Sequence, residues 1–170
     1  GVQTCALPIY LWVSWDEYHL AIESLAKQVF ASGWQFDQLL CLARGGLRPG
    51  DVFSRVFKVP LAILSTSSYR EATGTKRGEL DIANSIPSTA GPLAGRVLLL
   101  DDLVDSGITL QRVQEHLKAH FPEVSEVRSA VIWYKACSLM RPDYFLDYLP
   151  DSPWIHQPFE HYDDLTPSQL

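Results

Sequence analysis

Positive charge is in short supply in this 170-residue chain: 14 Lys and Arg stand against 20 Asp and Glu, a formal net charge of −6 and a sequence pI near 5.3. A general nucleic-acid binder carries a basic excess, so that class is set aside; a small basic pocket for phosphates stays compatible with the balance. Long apolar runs are missing too. A membrane helix needs roughly 18 to 20 apolar residues, and the candidate run Val97 to Leu100 stops at two aspartates. No basic segment followed by an apolar one opens the chain, so no signal peptide is read. The three cysteines, Cys5, Cys41 and Cys137, are odd in number and lack CxxC spacing. That argues against a disulfide framework and a zinc site, and fits a reducing, cytoplasmic setting. Cys41 and Cys137 lie in or beside apolar segments and are expected to be core thiols. Repeats and low-complexity stretches are absent as well.

What is present suits one domain. With 46% apolar and 20% charged residues, the chain is too apolar for disorder and long enough to bury a core. Residues 1–9 read as a disordered or non-native segment, 10–160 as the domain and 161–170 as a polar tail, loose or interface-bound. The apolar stretch Ile9 to Val13 predicts an edge strand. Ser14 opens a capping box with Glu17, and Tyr18, Ile22, Leu25 and Val29 then recur at helical spacing up to Ser32-Gly33. Strands are expected at Leu39 to Ala43, Leu61 to Leu64, Val97 to Leu100, Val127 to Trp133 and, more weakly, Tyr144 to Tyr148. Trp154-Ile155 makes a last short apolar touch. Helices are expected at Asp51 to Phe57 and through Leu110, Val113 and Leu117 to about His120. Ser65 to Ala90 is polar and without period, the profile of a functional lid or a disordered loop. Alternating strands and helices predict an α/β domain, a largely parallel sheet flanked by helices, with its ligand at the carboxyl ends of the strands.

The chemistry concentrates in Val97 to Thr109, VLLLDDLVDSGIT. A buried strand ends in Asp101-Asp102, Asp105 follows, and the small-residue turn Ser106-Gly107-Ile108-Thr109 opens a helix. Three acids at a strand end repel one another unless they meet cations or hydroxyl donors. The turn exposes backbone N–H groups and two hydroxyls at a helix N-terminus, which suits a phosphate. A helix start made acidic for its dipole accounts for one or two acids, but not for the pair at the strand end.

This segment closely resembles the phosphoribosyl pyrophosphate motif of type I phosphoribosyltransferases: an apolar strand, two acids, two apolar residues, Asp, a small hydroxyl residue, Gly, any residue, Thr. The rest of the chain is most similar to the xanthine-guanine, or 6-oxopurine, members. Arg44-Gly45-Gly46-Leu47 with Pro49-Gly50 resembles their pyrophosphate loop, where glycine lets backbone amides approach an anion. Ser67-Ser68-Tyr69 resembles the Ser-Tyr pair that heads their lid, with Lys76 and Arg77 further along it. Lys135 follows a strand as their purine-binding lysine does, and Trp154-Ile155 precedes Gln157-Pro158-Phe159-Glu160. Two departures stand out. His156 occupies the place of an acid in the enteric-type pattern, and the lid is lengthened and changed after Tyr69. Base preference and a second metal contact, with Glu160 as candidate ligand, are left open by them. Trp12, Trp15, Trp34 and Trp133 read as packing residues; His19, His116, His120 and His161 receive no role.

The resemblance implies a type I phosphoribosyltransferase fold with a small C-terminal hood. It also implies a Mg²⁺-dependent transfer of the phosphoribosyl group from phosphoribosyl pyrophosphate to N9 of guanine, xanthine or hypoxanthine, a purine-salvage reaction. In that scheme Ser106, Gly107, Ile108 and Thr109 hold the 5′-phosphate. Asp101 and Asp102 bind the ribose hydroxyls, directly or through Mg²⁺. Arg44, Gly45, Ser68, Tyr69 and Arg77 serve the pyrophosphate end, and Asp105 is the general base at N7 or holds that nitrogen by a hydrogen bond. Lys135 donates to the purine 6-oxo group, Trp154 stacks on the ring and Ile155 contacts its edge. The implied partners are these two small molecules and further copies of the chain, as a homodimer or homotetramer, with no nucleic acid and no membrane span. Two rivals stand beside this reading: a phosphoribosyltransferase for another base, and a non-catalytic regulator that binds phosphoribosyl pyrophosphate. The retained Asp105 and the acidic balance speak against the second.

Overall fold

The computed structural model of the chain describes residues 9–68, 80–82 and 85–170. In chain order its elements are β1 (Tyr10–Trp12), α1 (Trp15–Ala31), β2 (Gln38–Ala43), α2 (Leu47–Phe57), β3 (Leu61–Ser68), β4 (Leu80–Ile82), β5 (Gly95–Leu100), β6 (Leu103–Val104), α3 (Ile108–His120), β7 (Val124–Lys135), β8 (Tyr144–Leu149) and β9 (Trp154–His156). Two short 3₁₀ turns, Glu160–Asp164 and Pro167–Gln169, follow.

Side chains alternate across a strand, and the inner strands here are apolar on both faces. Leu39, Cys41, Leu98 and Leu100 join one core layer, while Leu40, Leu42, Val97 and Leu99 join the other. Each layer therefore needs a helical cover. Tyr18, Ile22, Leu25 and Val29 of α1, with Phe53 of α2, close the first; Leu110, Val113 and Leu117 of α3 close the second. The Ser14 capping box starts α1 as its spacing requires: Ser14 N–H donates to Glu17 Oε2 at 2.7 Å and Glu17 N–H to Ser14 Oγ at 3.2 Å. Among the described residues no helix is long and apolar enough to cross a membrane.

The main sheet runs β4-β3-β2-β5-β7-β6, with β8 also on β7, and every pair is parallel except β3 with β4. Because β8 takes one edge of β7, β6 must share the other edge with β5. The chain thus leaves β5, steps aside for Asp101-Asp102, and rejoins the same line as β6 beside Trp133 and Tyr134. The acid pair occupies that break.

Several boundaries differ from the sequence-based expectations. α2 starts at Leu47, not Asp51, since Pro49 falls in the first turn, where its missing N–H is no loss. β7 begins at Val124 and runs on to Lys135, so that lysine is a strand residue paired with Leu149. The Ser65 to Ala90 segment is not all loop: β3 continues to Ser68, β4 pairs antiparallel with Thr66 to Ser68, and Ser88 bridges to Ala62. Residues 1–8, Tyr69, Lys76 and Arg77 lie outside the described residues. β1 is not an edge of the main sheet; it pairs with β9 as a separate two-stranded hood, Tyr10 opposite Trp154 and Trp12 opposite His156. Cys41 is the buried thiol expected, its pKa pushed up to about 12 by burial and by the nearby Asp101. Cys137 is not: it is exposed in the turn after β7.

Candidate active site

The break between β5 and β6 holds the two acids by their backbones. Asp101 N–H donates to Ala130 O at 3.2 Å, and Asp102 O accepts from Ile132 and Trp133 N–H at 3.0 and 3.1 Å. Asp101 Oδ1 accepts from Asp102 N–H at 2.9 Å. Burial, then the charge of Asp102, holds the Asp101 carboxyl well above the usual carboxylate range; burial raises Asp102 too, opposed by the amide of Gln157. Gly45 lies directly over the pair: a Cβ there would meet the carboxylate oxygens of both Asp101 and Asp102. Glycine at this position is a condition of the loop's close approach.

The same chain runs into the turn Ser106-Gly107-Ile108-Thr109. Asp101, Asp102, Asp105, Ser106, Gly107 and Thr109 line one cavity of about 150 Å³, closed beneath by Val131 and Leu99. Gly107 caps α3 at φ 81°, and the next amide, Ile108 N–H, donates to Ser106 Oγ at 3.4 Å. The Ile108 side chain is 45% exposed. Gly107 is packed as well as left-handed, since a Cβ would come within 2.5 Å of Ser138 Oγ and 2.8 Å of the Met140 nitrogen. Gly107→Ala is therefore expected to cost about 1 to 3 kcal/mol of unfolding free energy, the cost of a non-glycine residue held in that region. Urea unfolding of the two proteins checks it.

A second cavity, of about 400 Å³, adjoins the acids on the loop side and is lined by Arg44, Gly45, Arg48, Asp102, Phe159, Glu160, Tyr162 and Asp163. Two guanidinium groups face it. Arg44 reaches Asp163 at 3.6 Å, both side chains being mostly exposed, a weak pair that an anion can replace. Arg48 is held over the rings of Trp15 and Phe159, 5.0 and 5.2 Å from their centroids. Sequence reading passed over Arg48; its place just after the glycine pair, at the helix start, was the available signal. It also left residues 161–170 as a polar tail, whereas Glu160–Asp164 forms a turn against this cavity.

Across Asp105 stands the third group. Lys135, only 5% exposed, places Nζ 3.5 Å from Asp105 Oδ1 and 6.0 Å from the ring centroid of Trp154. Trp154 is 60% exposed, its indole free to cover a flat ligand. Ile155, paired with Leu11 on the inner side of the hood, is buried in the core, so only its backbone is available to a ligand's edge. Cys137 Sγ lies 3.4 Å from Asp105 Oδ1, donating to the carboxylate. Trp12, expected as packing, is 71% exposed and stacks on His156 at 3.9 Å; Trp133, by contrast, is core. His156 Nδ1 lies 3.7 Å from Glu160. Of Ser68 only the backbone, the end of β3, is described.

The site can be asked whether it suits a divalent cation. Two adjacent carboxylates, both raised by burial and Asp101 further by the charge of Asp102, are groups a hard cation would neutralise. Mg²⁺ is commonly held by one or two carboxylates, with waters and substrate phosphates as the remaining ligands. Asp101 and Asp102 could take that role as a pair; among the described residues no group of three or more His, Cys, Asp or Glu is placed to hold a metal ion.

A family model described as the phosphoribosyl transferase domain matches residues 14–164. A curated xanthine-guanine phosphoribosyltransferase of Idiomarina loihiensis is 29% identical over 151 residues, which span 88% of this chain and 86% of that one. The crystal structure of a purine phosphoribosyltransferase from Pyrococcus horikoshii Ot3 superposes with a TM-score of 0.72 at 27% identity, covering 88% and 93% of the two chains. A Helicobacter pylori xanthine-guanine-hypoxanthine phosphoribosyltransferase gives 0.73 at 23% identity over 92% and 100%, a likeness of fold.

Proposed function

Since this chain belongs to the phosphoribosyl transferase domain family and is a transferase, we propose that it moves the 5-phosphoribosyl group from phosphoribosyl pyrophosphate to N9 of a 6-oxopurine, releasing pyrophosphate. The observation that carries this reading is the meeting of two half-sites at Asp105. The phosphate turn begins at the next residue, and Lys135 Nζ stands 3.5 Å away with the Trp154 indole beside it.

Each group has a task that its geometry supports. The amides and hydroxyls of Ser106 to Thr109 hold the 5′-phosphate at the start of α3. Asp101 and Asp102 take the ribose hydroxyls and are the residues that would hold Mg²⁺, which would supply charge neutralisation to the leaving group. Arg44 and Arg48 face the departing pyrophosphate, and Gly45 lets its loop close on the acids. As that bond lengthens the anomeric carbon gains positive charge, which the nearby carboxylates stabilise. Asp105 accepts the proton that the base gives up at N7. Lys135, a donor only, pairs with an oxygen at position 6, and Trp154 stacks on the ring.

Pyrophosphate release measured with hypoxanthine, guanine, xanthine, adenine and uracil tests the proposal. Release with the first three and little with the last two is the expected result. Release with adenine or uracil alone would move the acceptor to another base. Binding of phosphoribosyl pyrophosphate without release for any base would make the protein a regulator.

A further inference from the structure

Gln157 is buried, 9% exposed, and follows β9 directly. Its Nε2 donates to Asp102 Oδ2 at 2.7 Å, a bond between residues 55 positions apart. Its Oε1 is buried and has no partner. With its NH₂ turned toward Asp102, the amide leaves its own oxygen unpaired. A buried acceptor without a donor is destabilising, and an apolar side chain of the same size would serve packing better. What the amide does supply is a fixed direction for the Asp102 carboxylate, whose other oxygen faces Gly45.

The strap that carries Gln157 is itself anchored. Ile155 is locked in the core, and Trp154, three residues before Gln157, presents its indole on the base side. The acid that meets the sugar donor and the ring that meets the base therefore hang on one short segment of chain.

Building on the reading above, we propose that Gln157 is a positioning residue of the donor site: its amide aims Asp102 at the ribose and metal side of phosphoribosyl pyrophosphate, tying that acid to the hood. Removing a partner that orients a ligating carboxylate typically costs roughly 10- to 100-fold in affinity.

The test uses the whole chain and two variants. Gln157→Met keeps the volume and removes the amide; Gln157→Asn keeps the amide but withdraws it by one methylene. Affinity for phosphoribosyl pyrophosphate with Mg²⁺ is measured by calorimetry, KM for the base at saturating donor, and the melting temperature of the free protein. The expected result is donor affinity weakened roughly 10-fold or more in either variant, base KM within about 2-fold, and a lower melting temperature for Gln157→Met, because the buried Asp102 oxygen loses its donor. Unchanged donor affinity in a folded variant overturns the proposal. So does a lowered melting temperature with donor affinity intact, which would make Gln157 a packing residue. If Gln157→Met fails to fold, Gln157→Asn decides by the same affinity criterion. A parent chain that binds no donor at all would instead refute the assigned reaction.

Discussion

Asp105→Asn is expected to lower kcat by roughly 10²- to 10⁴-fold, the usual contribution of a positioned general base, while donor affinity stays within a few-fold. Asparagine keeps the shape and the contact with the loop but cannot take a proton from the purine. The acids at the β5–β6 break and the turn into α3 are untouched, so calorimetry with phosphoribosyl pyrophosphate should read as in the parent. The Asp105 side chain is 59% exposed but that of Lys135 only 6%, so the substitution leaves a nearly enclosed ammonium without its counter-charge, and the melting temperature is expected to fall. Single-turnover measurement of nucleotide formation separates chemistry from release. A variant with the parent's rate would leave Asp105 as a counter-charge for Lys135 and nothing more.

Lys135→Met is expected to reduce kcat/KM for the best 6-oxopurine by roughly 10- to 150-fold, the range for a hydrogen bond to a charged group. The ammonium is nearly enclosed, and a buried donor penalises any ligand that leaves it unpaired. Adenine, which offers an amino group at position 6, should lose little or gain in relative terms. Methionine fills most of the same space, and the Asp105 carboxylate it leaves behind remains in water, so the fold should tolerate the change. Competition assays with hypoxanthine and adenine read the discrimination directly. Equal use of every base by variant and parent would place Lys135 outside the base site.

Much of the site was readable because it is contiguous. The acid pair, Asp105 and the phosphate turn lie within nine residues, Asp101 to Thr109, where the chain passes from strand to helix. Local rules govern such a passage: a buried strand must end, a helix must start, and its first amides need acceptors. The strands of the core were readable for a similar reason, since alternation along Leu39 to Leu42 and Val97 to Leu100 follows from backbone geometry alone. The two helices that cover opposite faces, through Tyr18 to Val29 and Leu110 to Leu117, obey their own period.

What escaped the sequence depends on residues far apart in it. Cys137 reads as core from its apolar neighbours, yet β7 ends at Lys135, and the thiol turns out into solvent beside Asp105. Trp12 reads as packing, but its strand found β9 instead of the main sheet, and the hood's outer face is open to water. Arg48 gained its place from Trp15 and Phe159, and Gln157 from Asp102. From the sequence alone came the α/β class and the run of acids and small residues proposed to hold the phosphate, because spacing along one chain sets backbone dihedrals and which side chains share a face. The tertiary structure alone decided which groups from the hood and the C-terminal turn close on that cradle, and which aromatic rings stay exposed. Those contacts arise where separate elements are packed together by burial, and burial depends on what each face happens to meet.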